Sequence, residues 1–109
     1  MLGAVVLAVG ALAAGSWRQS RVWHDSETLW RWAVSVDPAC ALCSNNLGQA
    51  LIVAHATSLG HVRLAEGYFR FAISQRPRQP DAYHNLGAAL AMQGRYSEAE
   101  AALLTYLQL

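Results

Sequence analysis

Pro80-Asp-Ala-Tyr83-His84-Asn85-Leu86-Gly87-Ala88-Ala89-Leu90-Ala91-Met92-Gln93-Gly94-Arg95-Tyr96-Ser97-Glu98-Ala99-Glu100-Ala101-Ala102-Leu103-Leu104 decides the fold of this chain. Its apolar residues recur three and four apart, the spacing of amphipathic helices, and no stretch alternates with a period of two. Proline at the start suits the first helical position, where a missing N–H costs nothing. Gly94 breaks the pattern in the middle, so the segment reads as two helices joined by a turn. Gly87 and Ala99 supply small surfaces where those helices approach closely, with Leu86, Leu90 and Leu103 filling the gaps between them. Such hairpins stack into scaffolds, which argues against catalysis in this part of the chain.

The hairpin has an echo upstream. Asn45-Asn46-Leu47-Gly48-Gln49-Ala50-Leu51 repeats His84-Asn85-Leu86-Gly87-Ala88-Ala89-Leu90, and the two Leu-Gly pairs stand 39 residues apart. Ala65, Phe69, Ala72 and Pro77 keep the spacing of a second helix and a closing proline. Trp30, Ala33 and Pro38 repeat the spacing of Phe69, Ala72 and Pro77, which predicts a lone helix over about 25–36.

Tyr83, Leu86-Gly87, Leu90, Gly94, Ala99 and Leu103 together resemble the tetratricopeptide repeat, whose period is about 34 residues. On that resemblance roughly five extra residues separate the two units. They fall around Ala54-His55-Ala56-Thr57-Ser58-Leu59 and imply a longer first helix or a widened loop ending at Gly60. Ser97 and Glu100 fit a capping box, although the repeat register starts that helix earlier. The expected architecture is all-α, an apolar N-terminal helix followed by a short α-solenoid. The expected division is a transmembrane helix over 1–17, a linking helix or half repeat over 18–37, a first repeat over 38–77 with its insertion near 54–59, and a second repeat over 78–109.

Met1 to Trp17 carries no charge. Three readings compete for it: a signal peptide with Ala11-Leu12-Ala13 as cleavage motif, a buried helix, and a membrane helix. A signal peptide lacks its basic start here. Trp17 and Trp23 beside Arg18 and Arg21 look like an interfacial belt and favour the membrane helix. At the other end Leu103, Leu104, Leu107 and Leu109 leave apolar surface unspent. Repeat arrays normally close with a polar helix and need about three units, so this chain reads as a fragment, or as one that docks on further repeats or on itself.

The chain of 109 residues has a net charge of +1, and all eight of its basic residues are Arg. That balance carries no nucleic-acid footprint. Arg18 and Arg21 taken alone would place the repeats in the cytoplasm.

The junction Trp23-His24-Asp25-Ser26-Glu27-Thr28-Leu29-Trp30, with Asp37-Pro38 beyond it, resembles that of transmembrane O-mannosyltransferases bearing C-terminal tetratricopeptide repeats. The resemblance implies that residues 1–17 are the last membrane helix and that the repeats lie outside the cytoplasm, against the charge rule. It also implies that the catalytic acids of such enzymes lie in early membrane loops that have no counterpart here.

Asn46 and Asn85 hold equivalent positions and face the concave side of such an array. An amide there can donate to and accept from a peptide backbone, as in the asparagine ladder of the O-GlcNAc transferase repeats, which these two positions resemble. The bland alternative is a hydrogen bond to the neighbouring helix. Asn45, Gln49, His84, Ala88 and Met92 share the groove face at helical spacing. No basic residue lies on these first helices, which argues against a carboxylate clamp. Cys40-Ala-Leu-Cys43 lacks the second pair a metal site needs and the strand–helix context of a redox motif. Two small helix-packing residues are the simpler reading, with a disulfide open in an oxidising compartment. His55 and His61 flank the insertion and could meet the cysteines. Trp30 is expected in the core and Trp32 against the membrane or the next unit. No Ser-His-Asp set, paired carboxylates or phosphate loop is present, so no catalytic residue, cofactor or metal is assigned. The expected partner is a protein or peptide held by a membrane-tethered, non-catalytic module. The alternatives are the acceptor-positioning part of a membrane glycosyltransferase and a secreted or periplasmic adaptor.

Overall fold

The computed structural model describes residues 26–109, which form five helices. Helix α1 covers residues 26–36. It is followed by α2 (Ala41–His55), α3 (Leu59–Gln75), α4 (Pro80–Met92) and α5 (Tyr96–Gln108). Helices α2 and α3 form one hairpin, α4 and α5 a second, and α3 packs on α4 to stack them. The expected apolar helix over 1–17 lies outside the described residues. Among those described, no helix is long and apolar enough to cross a membrane.

Each boundary has a local cause. Ser58 caps α3 by accepting from the His61 amide, and Pro80 occupies the first turn of α4. The turn into α5 is set by Gly94, whose φ of +76° a side chain would resist. There the Arg95 amide donates to the Leu90 carbonyl and the Gly94 amide to the Ala91 carbonyl, the paired bonds of a Schellman motif. That turn starts α5 at Tyr96 with Arg95 at the cap position and no side-chain capping bond. The capping box expected at Ser97 and Glu100 is therefore not formed.

The insertion lengthens both helices of the first hairpin and leaves its loop unchanged. Relative to the second hairpin, α2 runs two residues further beyond Leu47 than α4 does beyond Leu86. Helix α3 starts three residues further ahead of Ala65 than α5 does ahead of Ala99. Both connecting loops are three residues long, 56–58 and 93–95. Gly60 consequently lies inside α3 and does not end a loop.

The core runs unbroken through both hairpins: Leu47 and Leu51, then Val62, Ala65 and Phe69, then Leu86, Ala89 and Leu90, then Ala99 and Ala102. Trp30 and Val34 pack against its edge, while Trp32 is 63% exposed. The Leu-Gly pairs mark the two helix crossings. Gly48 lies under the Phe69 ring, and Gly87 under the Leu103 side chain. At Gly48 the absent side chain is what lets the two helices meet, because the buried Phe69 ring fills its place; at Gly87 the space is taken by the half-exposed Leu103 side chain.

Candidate functional site

Helices α2 and α4 lie side by side and frame a cleft of about 330 Å³. Five of the seven residues singled out from the sequence line it: Asn45, Asn46 and Gln49 from α2, His84 and Asn85 from α4. Ala88 and Met92 are exposed, one and two turns further along α4, and do not line it. Leu42, Gln79 and Asp81 complete the walls. Sequence reasoning passed over these three, although Leu42 stands one turn before Asn45 and Asn46, and Gln79 and Asp81 flank the Pro80 that opens α4.

The asparagines divide into two kinds. Asn45 is buried, 3% exposed, and its Oδ1 accepts a 3.0 Å hydrogen bond from Asn85 Nδ2. That bond ties the two hairpins together at the floor of the cleft. Asn46, the sequence equivalent of Asn85, is half-buried, and its side chain makes no hydrogen bond among the described residues. Asn46 and Gln49 also line a second cleft, of about 320 Å³, with Ser26 and Trp30 of α1. The two clefts meet at these side chains, so one continuous track crosses α4, α2 and α1, polar between α4 and α2 and mainly apolar toward Trp30, Ala50 and Val53. His84, on the far wall, lies against the Tyr106 ring, with ring centroids 5.4 Å apart.

Two ionic clusters brace this surface from other sides. Glu66 of α3 accepts from Gln93 at 2.9 Å and from Arg95 at 2.7 Å, both in the α4–α5 turn, and from Arg70 at 2.8 Å. Burial pushes the Glu66 carboxyl up, but the hydrogen bonds from Gln93 and Arg70 and the charges of Arg95 and Arg70 outweigh it and hold the group below its ordinary value. At the other end Glu27 of α1 pairs with Arg31 at 3.0 Å and with His55 of α2 at 3.1 Å. Its carboxyl is likewise held low: burial raises it, and the Arg31 and His55 hydrogen bonds more than compensate. The His55 ring stacks on His61, centroids 3.9 Å apart, and His61 Nδ1 lies 2.7 Å from Ser58 Oγ.

Neither histidine meets a cysteine. Cys40 and Cys43 are joined to each other by a disulfide at the start of α2. This corrects the reading of the pair as small helix-packing residues; a three-residue separation inside one helical turn brings both side chains to one edge.

Antiparallel helical hairpins, stacked through small residues at their crossings and presenting a track of side chains from their first helices, define a helical-repeat scaffold. A tetratricopeptide repeat model matches residues 55–109, and the chain belongs to the tetratricopeptide repeat family. It is similar to Protein O-mannosyl-transferase Tmtc1 of Drosophila melanogaster, at 33% identity over 86 residues. That match takes in 79% of this chain and 9% of the length of the fly protein. The solved structure named MamA AMB-1 shares the fold, with a TM-score of 0.69 over 84% of this chain and 47% of that one, at 21% identity. Tetratricopeptide repeats are protein-interaction scaffolds, and the described hairpins have that architecture.

Proposed function

We propose that this chain is a membrane-tethered interaction module that holds an extended peptide along the track formed by α4, α2 and α1. The observation that supports this reading is the meeting of two clefts at Asn46 and Gln49. Two amides placed there can donate to and accept from a peptide backbone without choosing among side chains. Asn85 contributes indirectly, by fixing Asn45 and with it the spacing of α2 and α4. His84 and Asp81 add a titratable and an acidic group on the far wall. The tether would be residues 1–17, uncharged, ending in Trp17 and followed by Arg18.

The test is selection of a random linear peptide display library against the full chain, followed by affinity measurement on the recovered peptides. Asn46→Ala with Gln49→Ala should weaken them by tenfold or more, about 1.4 kcal/mol, with the fold intact by circular dichroism. Unchanged affinity would sink the groove. Carbonate extraction of expressing cells tests the tether, which requires the chain in the membrane pellet.

A second reading is supported by the similarity to the fly O-mannosyl-transferase. In it the repeats position an acceptor protein for a membrane glycosyltransferase. Coding sequence upstream that specifies further membrane helices and an early acidic loop would favour it.

A further inference from the structure

We propose that Cys40 and Cys43 form a thiol–disulfide exchange site and not a staple of the fold. The bond closes a ring around Ala41 and Leu42 alone, inside the first turn of α2, and joins no two helices. A disulfide restrains the unfolded chain by an amount that grows with the logarithm of the loop it closes, and this loop is near the lower limit. The turn is already fixed without it. The Cys40 amide donates to the Asp37 carbonyl at 3.1 Å, and the Ser44 amide donates to the Cys40 carbonyl at 3.1 Å. Ala41 is buried against Ala72 and Ala82.

The surroundings suit exchange. Cys40 is the cap residue of a 15-residue helix, and its Sγ accepts from the Cys43 amide at 3.1 Å. The same N–H, with the positive end of the helix, would hold a Cys40 thiolate. The first turn of α2 carries no acidic residue to oppose that charge. Both cysteines are half-buried, within partial reach of solvent. The chain has only these two cysteines, so the exchange partner is a thiol from outside it.

In the step that follows, a partner thiolate attacks Cys43 Sγ, the S–S bond breaks, and its electron pair departs on Cys40 Sγ. A second partner thiolate attacks the partner sulfur of the mixed disulfide and releases Cys43. The two protons given up by the partner thiols end on the cysteines. The pair gains two electrons, and the partner thiols are oxidised to a disulfide; the reverse direction oxidises this chain. The better-stabilised thiolate is the better leaving group, which assigns departure to Cys40.

The test equilibrates the oxidised full chain against a series of reduced-to-oxidised glutathione ratios, followed by acid quench, alkylation and intact mass. Both cysteines should become reduced together within that series, and the reduced chain should unfold no more than about 15 °C below the oxidised one, the most that closing so short a loop supplies. In single variants, Cys40 of Cys43→Ser should alkylate at least about tenfold faster at neutral pH than Cys43 of Cys40→Ser. A disulfide that survives a large excess of reduced glutathione would overturn the proposal. So would equal alkylation rates, or a fall of more than about 15 °C in the unfolding midpoint on reduction. A parallel arm with a synthetic dithiol peptide identifies the source of the thiols. Faster exchange with the peptide assigns protein dithiols as partners, and faster exchange with glutathione assigns a small thiol.

Discussion

Gly48→Ala should destabilise the chain strongly, whereas Gly87→Ala, at the equivalent position one repeat later, should barely change it. A Cβ on Gly48 would stand 2.5, 2.9 and 3.0 Å from Cε1, Cζ and Cδ1 of Phe69. The Phe69 ring has no exposed surface and is enclosed by the core, so it has nowhere to retreat. Overpacking of a filled core costs about 1–3 kcal/mol, and this contact belongs at the upper end. Alanine recovers about 1 kcal/mol of helix propensity. The net loss is about 2 kcal/mol, a fall in melting temperature of about 8–16 °C for a domain of this size. A Cβ on Gly87 would meet Leu103 Cγ and Cδ2 at 2.8 and 2.9 Å, but Leu103 is 38% exposed and can rotate outward. There the clash of about 1 kcal/mol and the propensity gain of about 1 kcal/mol cancel to within roughly half a kcal/mol. Thermal unfolding followed by far-ultraviolet circular dichroism measures both. Phe69→Leu in the Gly48→Ala background should return part of the loss, a coupling of about 1 kcal/mol or more. Equal melting shifts for the two glycines, or no rescue, would refute the assignment of the crossings.

Two further outcomes follow from the polar contacts. Asn85→Ala leaves the buried Asn45 oxygen without its donor and should cost about 1–3 kcal/mol in urea unfolding, whereas Asn46→Ala should stay within about 0.5 kcal/mol. Glu66 is held below its ordinary value in the folded chain. A depressed carboxylate contributes stability above its unfolded value and loses it as pH falls through the folded one, so the chain should weaken on acidification below about pH 4.5, and Glu66→Gln should flatten that slope. An unchanged slope in Glu66→Gln would remove Glu66 as its source.

The repeat was legible because close packing writes itself into the sequence as absence. Two Leu-Gly pairs, each followed by an aromatic or aliphatic partner in the next helix, admit few arrangements other than crossed helices. The groove was legible to the extent that helical spacing fixes a face, and Asn45, Asn46, Gln49, His84 and Asn85 share one. Which asparagine answers Asn85 was not legible. Adjacent helical residues differ by about 100° around the axis, and the offset between hairpins decides whether position 45 or 46 turns toward α4. No periodicity encodes that offset. At the start of α5 two signals competed, the capping box at Ser97 and Glu100 and the repeat register with its Gly94 turn, which places the start earlier. The turn prevails, since it satisfies two terminal carbonyls of α4 and fixes where the next helix begins.

The five inserted residues make a stronger case that an irregularity can serve a purpose. By adding two residues to α2 and three to α3 around an unchanged loop, they raise the first hairpin by somewhat less than one turn. That added height carries His55 and lies beside His61, and it meets Glu27 of α1. Helix α1 follows the second-helix pattern through Trp30 and Ala33, but among the described residues it has no first helix of its own to pack against. Trp30 and Val34 pack against the edge of the core. The Glu27–His55 contact supplies a second point of attachment, and two points fix an orientation that one leaves free. The track through Asn46 and Gln49 depends on that orientation, because Ser26 and Trp30 form its outer wall. A first hairpin of standard height would end short of Glu27, and the wall would lose its anchor.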